Sequence, residues 1–317
     1  MLCAKNVENL FIKLTLTNKI KYNSGMENKE YQKIADFMLK TIKKAYKVCS
    51  KQKIEVKDKN EFDLVTTLDT SIEQYVLDKI NKKFGDVKVI SEEFNSKVEA
   101  GGTYFVIDPI DGTINFANGI DAWGVQMAYI EDNETKAAAI YRPNDGAEYI
   151  AIKGCGAYRN GKKFVCTVKP PLKSVYAIEL KNIEYENKAC AYLYDKLLRY
   201  RRLNASCINS IYTAEGNFGA YIAQNGNPWD IRPGNLLMEE AGCFHKDVGR
   251  ATLFASSQEI LDILEKAHEF ASVALKEPTK TAKPATKTTA TKTTKKTTSK
   301  TLTKKVEPKK TKKTTKK

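Results

Sequence analysis

The sequence predicts a layered α/β or α+β fold containing more than one sheet. Three observations lead there. Strand-like and helix-like segments are mixed from about residue 26 to residue 275, without the strict strand–helix–strand rhythm of a purely parallel sheet. Outside the Lys/Thr-rich C-terminal stretch, no segment repeats another. A chain of 317 residues with 42% apolar content can bury a sizeable core, as one large or two ordinary domains.

Met26 opens a segment in which Tyr31, Ile34, Phe37, Met38, Ile42, Ala45 and Tyr46 recur at helical spacing. A charged, hairpin-like stretch leads to DLVTTLD at 63–69. Thr70 and Glu73 have the spacing of a capping box for a helix over Ser71–Phe84, which Gly85 stops. Asp69 lies at that helix's start, where the helix dipole favours an acidic residue for purely structural reasons. Val87–Ile90 is strand-like and ends in Ser91-Glu92-Glu93; a lone Glu pair at a strand end is usually a solvated loop. Further strands are expected at Trp123–Ile130, Lys136–Arg142, Tyr149–Ile152, Ser174–Leu180, Phe218–Ile222 and Thr252–Ala255. Helices are expected at Asn187–Arg202, Ile231–Ala241 and Gln258–Leu275, and Leu203–Gly216 is rich in small residues.

The stretch that organises the chain is Tyr104–Gly119, YFVIDPIDGTINFANG. A short apolar run bounded by Pro and Gly is a buried strand ending in a turn, here carrying Asp108 and Asp111. In α/β proteins ligands gather at such strand ends. Two carboxylates beside the Thr113 hydroxyl suit a hard cation such as Mg²⁺, which takes oxygen ligands. An ordinary Asx-type turn would use the same residues.

Charge is unevenly distributed. The formal charge is +15, but residues 278–317 hold 15 Lys against one Glu, so +14 lies in the tail and +1 in everything before it. Nucleic-acid affinity is therefore a question for the tail alone. The seven cysteines contain no C-x-x-C pair, which excludes the common zinc frameworks and disfavours a disulfide scaffold. A reducing, cytoplasmic location is expected. LFIKLTL at 10–16 is interrupted by Lys13 and flanked by Glu8 and Lys19, so neither a secretory signal nor a membrane span is expected. His245 and His268 are the only histidines, leaving few bases for Ser-His or Cys-His chemistry. Carboxylate and metal chemistry remains.

Four segments together resemble the inositol monophosphatase family: DLVTTLD at 63–69, SEE at 91–93, DPIDGTINF at 108–116 and WDIRPGNLLMEEAG at 229–242. The resemblance covers roughly Met26 to Leu275. It implies a layered αβαβα sandwich with mixed sheets and Mg²⁺-dependent, lithium-sensitive hydrolysis of a phosphate monoester on a small metabolite. It also implies a homodimer. By the same resemblance, Glu92, Asp108, the backbone carbonyl of Ile110, Asp111 and Asp230 would hold two or three Mg²⁺ ions. Glu92, Thr113 and Asp69 would be catalytic, with Thr113 positioning the attacking water and Asp69 drawing off its proton. Lys57 or Lys59 would correspond to a family lysine near the third metal. Asp111, Gly112, Thr113, Ala205, Ala223 and Asp230 would contact substrate.

The substrate-facing positions depart from the family pattern. The acidic residue seven positions before the Trp-Asp aspartate is replaced by Ala223, with Gln224 beside it. The segment RLNASCIN at 202–209 carries Asn204 and Ala205 where Gly and Ser or Thr are usual. Inositol 1-phosphate is thus one candidate beside 3′-phosphoadenosine 5′-phosphate and fructose 1,6-bisphosphate, although INF at 114–116 favours the inositol-type branch. Three regions are expected: a poorly ordered extension over 1–25, a catalytic domain over 26–276, and a disordered Lys/Thr-rich tail over 277–317. The tail would bind nucleic acid or another polyanion without sequence preference, or merely solubilise the chain. A nucleic-acid-associated regulatory protein is the competing functional class.

Overall fold

A computed structural model of the chain describes residues 27–61 and 63–272. Its centre is the Tyr104–Ile107 run. Tyr104 and Val106 point into one core while Phe105 and Ile107 point into another. Successive strand side chains face opposite ways, so an unbroken apolar run belongs in a strand covered on both sides. That strand, β4 (Thr103–Asp111), pairs in parallel with β3 (Lys88–Ser91) and antiparallel with β5 (Gly124–Glu131). β6 (Glu134–Arg142), β7 (Ala147–Ile152), β8 (Gly156–Arg159) and β9 (Lys162–Phe164) extend the sheet antiparallel, strand after strand, to seven strands.

Helices α1 (Glu27–Cys49) and α2 (Thr67–Phe84) cover one face, burying Ile34, Met38, Ile42, Ile72, Val76 and Ile80 against Phe105 and Ile107. Each such side chain taken fully from water contributes about 1.5–3 kcal/mol. Between them runs the hairpin β1 (Val56–Asn60) and β2 (Asp63–Thr66). The other face packs on α5 (Ser206–Ala214) and α6 (Pro228–Glu240), through Ile208, Ile211, Leu236 and Met238. Behind these helices lies a second, five-stranded sheet. It contains β10 (Val175–Glu179), β11 (Arg199–Arg201), β12 (Phe218–Gln224), β13 (Phe244–Asp247) and β14 (Ala251–Ala255), ordered β11-β10-β12-β14-β13. Its outer face is closed by α4 (Ile183–Leu193) and α7 (Gln258–Ala271). The layers therefore run helix, sheet, helix, sheet, helix, and both sheets mix parallel with antiparallel pairs.

Several elements depart from the sequence-based expectation. Helix α2 starts at Thr67, not Ser71, and its capping box joins Thr66 to Asp69 rather than Thr70 to Glu73. The expected helix over Asn187–Arg202 is α4 followed by the edge strand β11. Asn182 starts α4 early by accepting the Tyr185 N–H at 2.9 Å. The small-residue stretch after Leu203 holds α5, and close packing explains its composition. A Cβ on Gly234 of α6 would lie 2.2 Å from Ser210 Oγ, so only glycine admits this approach. The carboxylates of the central motif lie in strand β4 itself rather than in a turn beyond it. The expected extension over 1–25 and the tail over 277–317 lie outside the described residues.

Candidate active site

At the end of β4, Asp108 is opposite Gln126 and Asp111 opposite Gly124. Three residue steps on β4 thus match two on β5, which is a bulge. In a regular strand, residues three apart face opposite sides. The extra residue, supplied within the Pro109-Ile110 pair, lets both carboxylates act on one cluster. Gly112 follows at φ 92°, where a Cβ would stand 2.8 Å from the Ala122 carbonyl oxygen and 3.1 Å from the Ala205 Cβ. Glycine is required there on both counts.

Asp111 is anchored from across the layers. Its carboxylate accepts the Ser206 N–H at 3.1 Å, the Ser206 hydroxyl at 3.0 Å and the Cys207 N–H. These donors are the first turn of α5, whose N-cap residue Ala205 has no capping side chain. Asp111 caps that helix from another sheet layer, joining two parts of the site. Ser206 also bears on the backbone carbonyl of Asp230, 2.6 Å from its hydroxyl. Asp230 sits in the first turn of α6, with its Oδ2 accepting from Asn227 Nδ2 at 3.1 Å.

Glu92 follows β3 in a loop that Glu73 of α2 holds in place. The buried Glu73 carboxylate accepts the Ser91 hydroxyl at 2.5 Å and the N–H groups of Glu93 and Phe94 at 2.9 and 2.8 Å. Glu73 was expected at a helix cap; its work lies at the neighbouring strand end. Lys59 of β1 pairs with Glu92 at 3.0 Å and Glu93 at 2.8 Å, whereas Lys57 makes no ion pair among the described residues. Burial opposes the Lys59 charge, but Glu93 and Glu92 outweigh it and hold its pKa above that of an ordinary lysine.

Asp69 faces the same cluster from α2. It accepts the Thr66 N–H at 2.8 Å, and its Oδ1 lies 3.2 Å from the Thr113 hydroxyl. The same hydroxyl is 2.8 Å from the Ile110 carbonyl, so its single proton can go to only one of these acceptors at a time. Thr113 opens the short helix α3 (Thr113–Ala117) directly after the bulge. The local structure thus brings Asp69, Glu92, Asp108, Ile110, Asp111, Thr113 and Asp230 to one region from five separate elements.

Charge is frustrated in this region. Burial, then the charges of Glu92, Asp111, Asp230 and Asp69, push the Asp108 carboxyl well above the usual range. Burial likewise raises Glu92, Asp111 and Asp230, and lifts Asp69 to about 6. Asp108 Oδ1 is buried and accepts no hydrogen bond among the described residues, which is costly for a carboxylate oxygen. No three acidic, His or Cys side chains among the described residues already close on one point. An all-oxygen donor set with an orphaned buried acceptor fits a hard divalent cation.

A cavity of about 310 Å³ opens beside Asp111 and Asp230, walled also by Glu179, Arg202, Tyr221 and Gln224. Ala205 and Ala223, expected at the substrate, are buried and lie behind this wall, which Asn204, Ser206 and Gln224 form instead. Glu179 went unassigned in the sequence because nothing marks it but its place at a strand end.

Comparison with known proteins agrees with this architecture. The inositol monophosphatase family model matches residues 26–274. A fructose-1,6-bisphosphatase/inositol-1-monophosphatase of Aquifex aeolicus is 28% identical over 276 residues, covering 79% of this chain and 100% of its own. The Nus factor SuhB of Escherichia coli is 28% identical over 199 residues, covering 60% of this chain and 73% of its own. A crystal structure of an IMPase/NADP phosphatase complexed with Mg²⁺ and phosphate superimposes with TM-score 0.65 at 22% identity, covering 76% of this chain and 95% of that one. Among the described residues no helix is long and apolar enough to cross a membrane. The chain belongs to the inositol monophosphatase family and is a phosphoric monoester hydrolase.

Proposed function

We propose that the protein hydrolyses a phosphate monoester on a small, inositol-1-phosphate-like metabolite in a Mg²⁺-dependent, lithium-sensitive reaction. The observation that carries this reading is that the charges of Glu92, Asp111 and Asp230 all bear on Asp108, whose buried Oδ1 has no hydrogen-bond donor among the described residues. These residues, with the Ile110 carbonyl, would hold two or three Mg²⁺ ions. Bound there, Mg²⁺ supplies positive charge that screens the phosphate dianion and eases the departure of an alkoxide. Thr113 orients the attacking water, and Asp69 receives its proton. Raised by burial to about 6, the Asp69 carboxyl is a better base than an ordinary aspartate yet still ionised at neutral pH. No covalent nucleophile is needed, because positioning and charge stabilisation carry phosphoryl transfer.

A panel of inositol phosphates, adenosine 3′,5′-bisphosphate and fructose 1,6-bisphosphate, assayed for free phosphate with Mg²⁺, Mg²⁺ plus lithium, and chelator, tests this. Metal-dependent release from an inositol phosphate is expected; release from one bisphosphate alone would reassign the substrate. No release from any of them would remove the reading.

The tail favours a second, additional role. Its 15 lysines among 40 residues would bind nucleic acid or another polyanion by charge alone, and a SuhB relative is named as a Nus factor. Intact and tail-deleted protein should differ in mobility with duplex DNA at low salt, and equal mobility would dismiss the role. The catalytic domain over 26–276, a homodimer and a cytoplasmic location complete the proposal.

A further inference from the structure

Beyond the reaction itself lies the choice of leaving group, and the cavity wall carries one carboxylate that the metal-binding set does not use. Glu179 ends β10, and in the parallel pairing of β10 with β12 it stands directly beside Ala223. One of its oxygens is fixed. Oε2 accepts the Tyr221 hydroxyl at 2.6 Å and Asn209 Nδ2 at 3.0 Å. Oε1 accepts no hydrogen bond among the described residues and is not sealed from solvent, while the side chain lines the cavity beside Asp111. Among the described residues no lysine or arginine forms an ion pair with Glu179. Arg202, which with Lys181 also lines the cavity, acts on Glu179 by its charge but forms its ion pair with Glu186, at 3.4 Å.

Gln224, the residue after Ala223, completes the arrangement. Its Oε1 accepts the Lys181 N–H at 2.6 Å, which turns the amide Nε2 into a donor without a partner among the described residues. The wall thus offers a charged acceptor and a neutral donor. A hydroxyl group, which both donates and accepts, is the one common substituent that answers both. A second phosphate or a carboxylate placed against Glu179 itself would meet its charge and be repelled.

We propose that Glu179, oriented by Tyr221 and Asn209 and assisted by Gln224, is the specificity-determining residue of this site, accepting a hydroxyl of a polyol leaving group. The proposal rests on the phosphatase reading above. It places the selecting carboxylate on the strand adjacent to the position where the sequence has Ala223. Glu179→Gln keeps the shape: the amide oxygen stays with Tyr221 and Asn209, and an amide nitrogen replaces the hydroxyl acceptor.

The test uses the full chain with Mg²⁺ and two esters, myo-inositol 1-phosphate and p-nitrophenyl phosphate, the second having no hydroxyl on its leaving group. Wild-type protein should favour the polyol ester, and Glu179→Gln should lower the ratio of kcat/KM values, polyol over aryl, by about 10- to 100-fold, mainly through KM. Gln224→Ala should lower the same ratio by a smaller factor and serves if the first variant does not fold. An unchanged ratio, an equal loss on both esters, or a wild-type preference for the aryl ester overturns the proposal. Absence of metal-dependent release from both esters would instead bring down the phosphatase reading on which it stands.

Discussion

Asp108→Asn should make the metal-free protein more stable while abolishing its response to metal. Asp108 is 2% exposed, its Oδ1 has no donor, and Glu92, Asp111, Asp230 and Asp69 all raise its pKa beyond what burial does. In the unfolded chain at pH 7.5 the same carboxyl is fully ionised. Each pH unit by which the folded pKa is raised therefore costs about 1.4 kcal/mol of stability, up to the working pH. Asparagine is nearly isosteric and neutral in both states, and its amide can donate to the surrounding carboxylates. Removing a buried, unsatisfied charge is worth roughly 1–3 kcal/mol in mutational series, so Tm in chelator should rise by several degrees. Thermal unfolding in chelator and in 10-fold stepped Mg²⁺ reads both halves of the prediction. Wild-type Tm should rise with Mg²⁺ and variant Tm should not, and turnover should fall by about 1,000-fold or more. A variant that melts lower than wild type in chelator, or that keeps the Mg²⁺-induced shift, would refute the reasoning.

Other perturbations separate the roles within the cluster. Asp111→Asn should behave oppposite to Asp108→Asn in chelator, losing about 1–3 kcal/mol, because its carboxylate satisfies Ser206 and Cys207 donors at the start of α5; comparison of the two melting curves decides. In chelator, wild-type Tm should fall as pH rises from 5 to 8. The site carboxyls have raised pKa values, so the folded state holds protons that the unfolded state has released, and stability declines with pH across that window. Asp69 alone, raised from 3.8 to about 6, accounts for about 1.4 kcal/mol within this window, the rest of its effect lying below pH 5, and saturating Mg²⁺ should flatten the slope. Burial lowers the pKa of His268, which works in the opposite sense at the acid end as a single group. Glu73→Ala removes three hydrogen bonds that fix the Glu92 loop, so Tm should drop by several degrees and half-saturating Mg²⁺ should rise several-fold in a titration of activity. Lys59→Gln frees Glu92 and should lower half-saturating Mg²⁺; an increase would mean that the ammonium assists metal binding rather than competing with it.

Much of this protein was legible in its sequence. The Tyr104–Ile107 run could only be a doubly covered strand, and the apolar periodicity of α1 placed one face of that helix in the core. Asp108 and Asp111 stood out as a carboxylate pair beside a hydroxyl, whereas Asp69, Glu92 and Asp230 joined them only through the resemblance of their segments to the inositol monophosphatase family. Other features depended on contacts between residues far apart in the chain. Glu73 has the spacing of a helix cap yet holds a strand end 18 or more residues away. Asp111 caps α5 from 95 residues earlier, which leaves the small residues after Leu203 without any local sign of a helix start. The wall of the leaving-group cavity follows the same rule. Sequence spacing points to Ala223, but strand pairing sets Glu179 beside it, 44 residues before it in the chain. Local chemistry and periodicity are written residue by residue, and so the mixed layered class and the acidic pair could be read directly, while the reaction class came with the family resemblance. Which distant carboxylate meets which donor, and which side chain faces the substrate, is decided by sheet register and helix packing, whose energies arise only when the layers assemble.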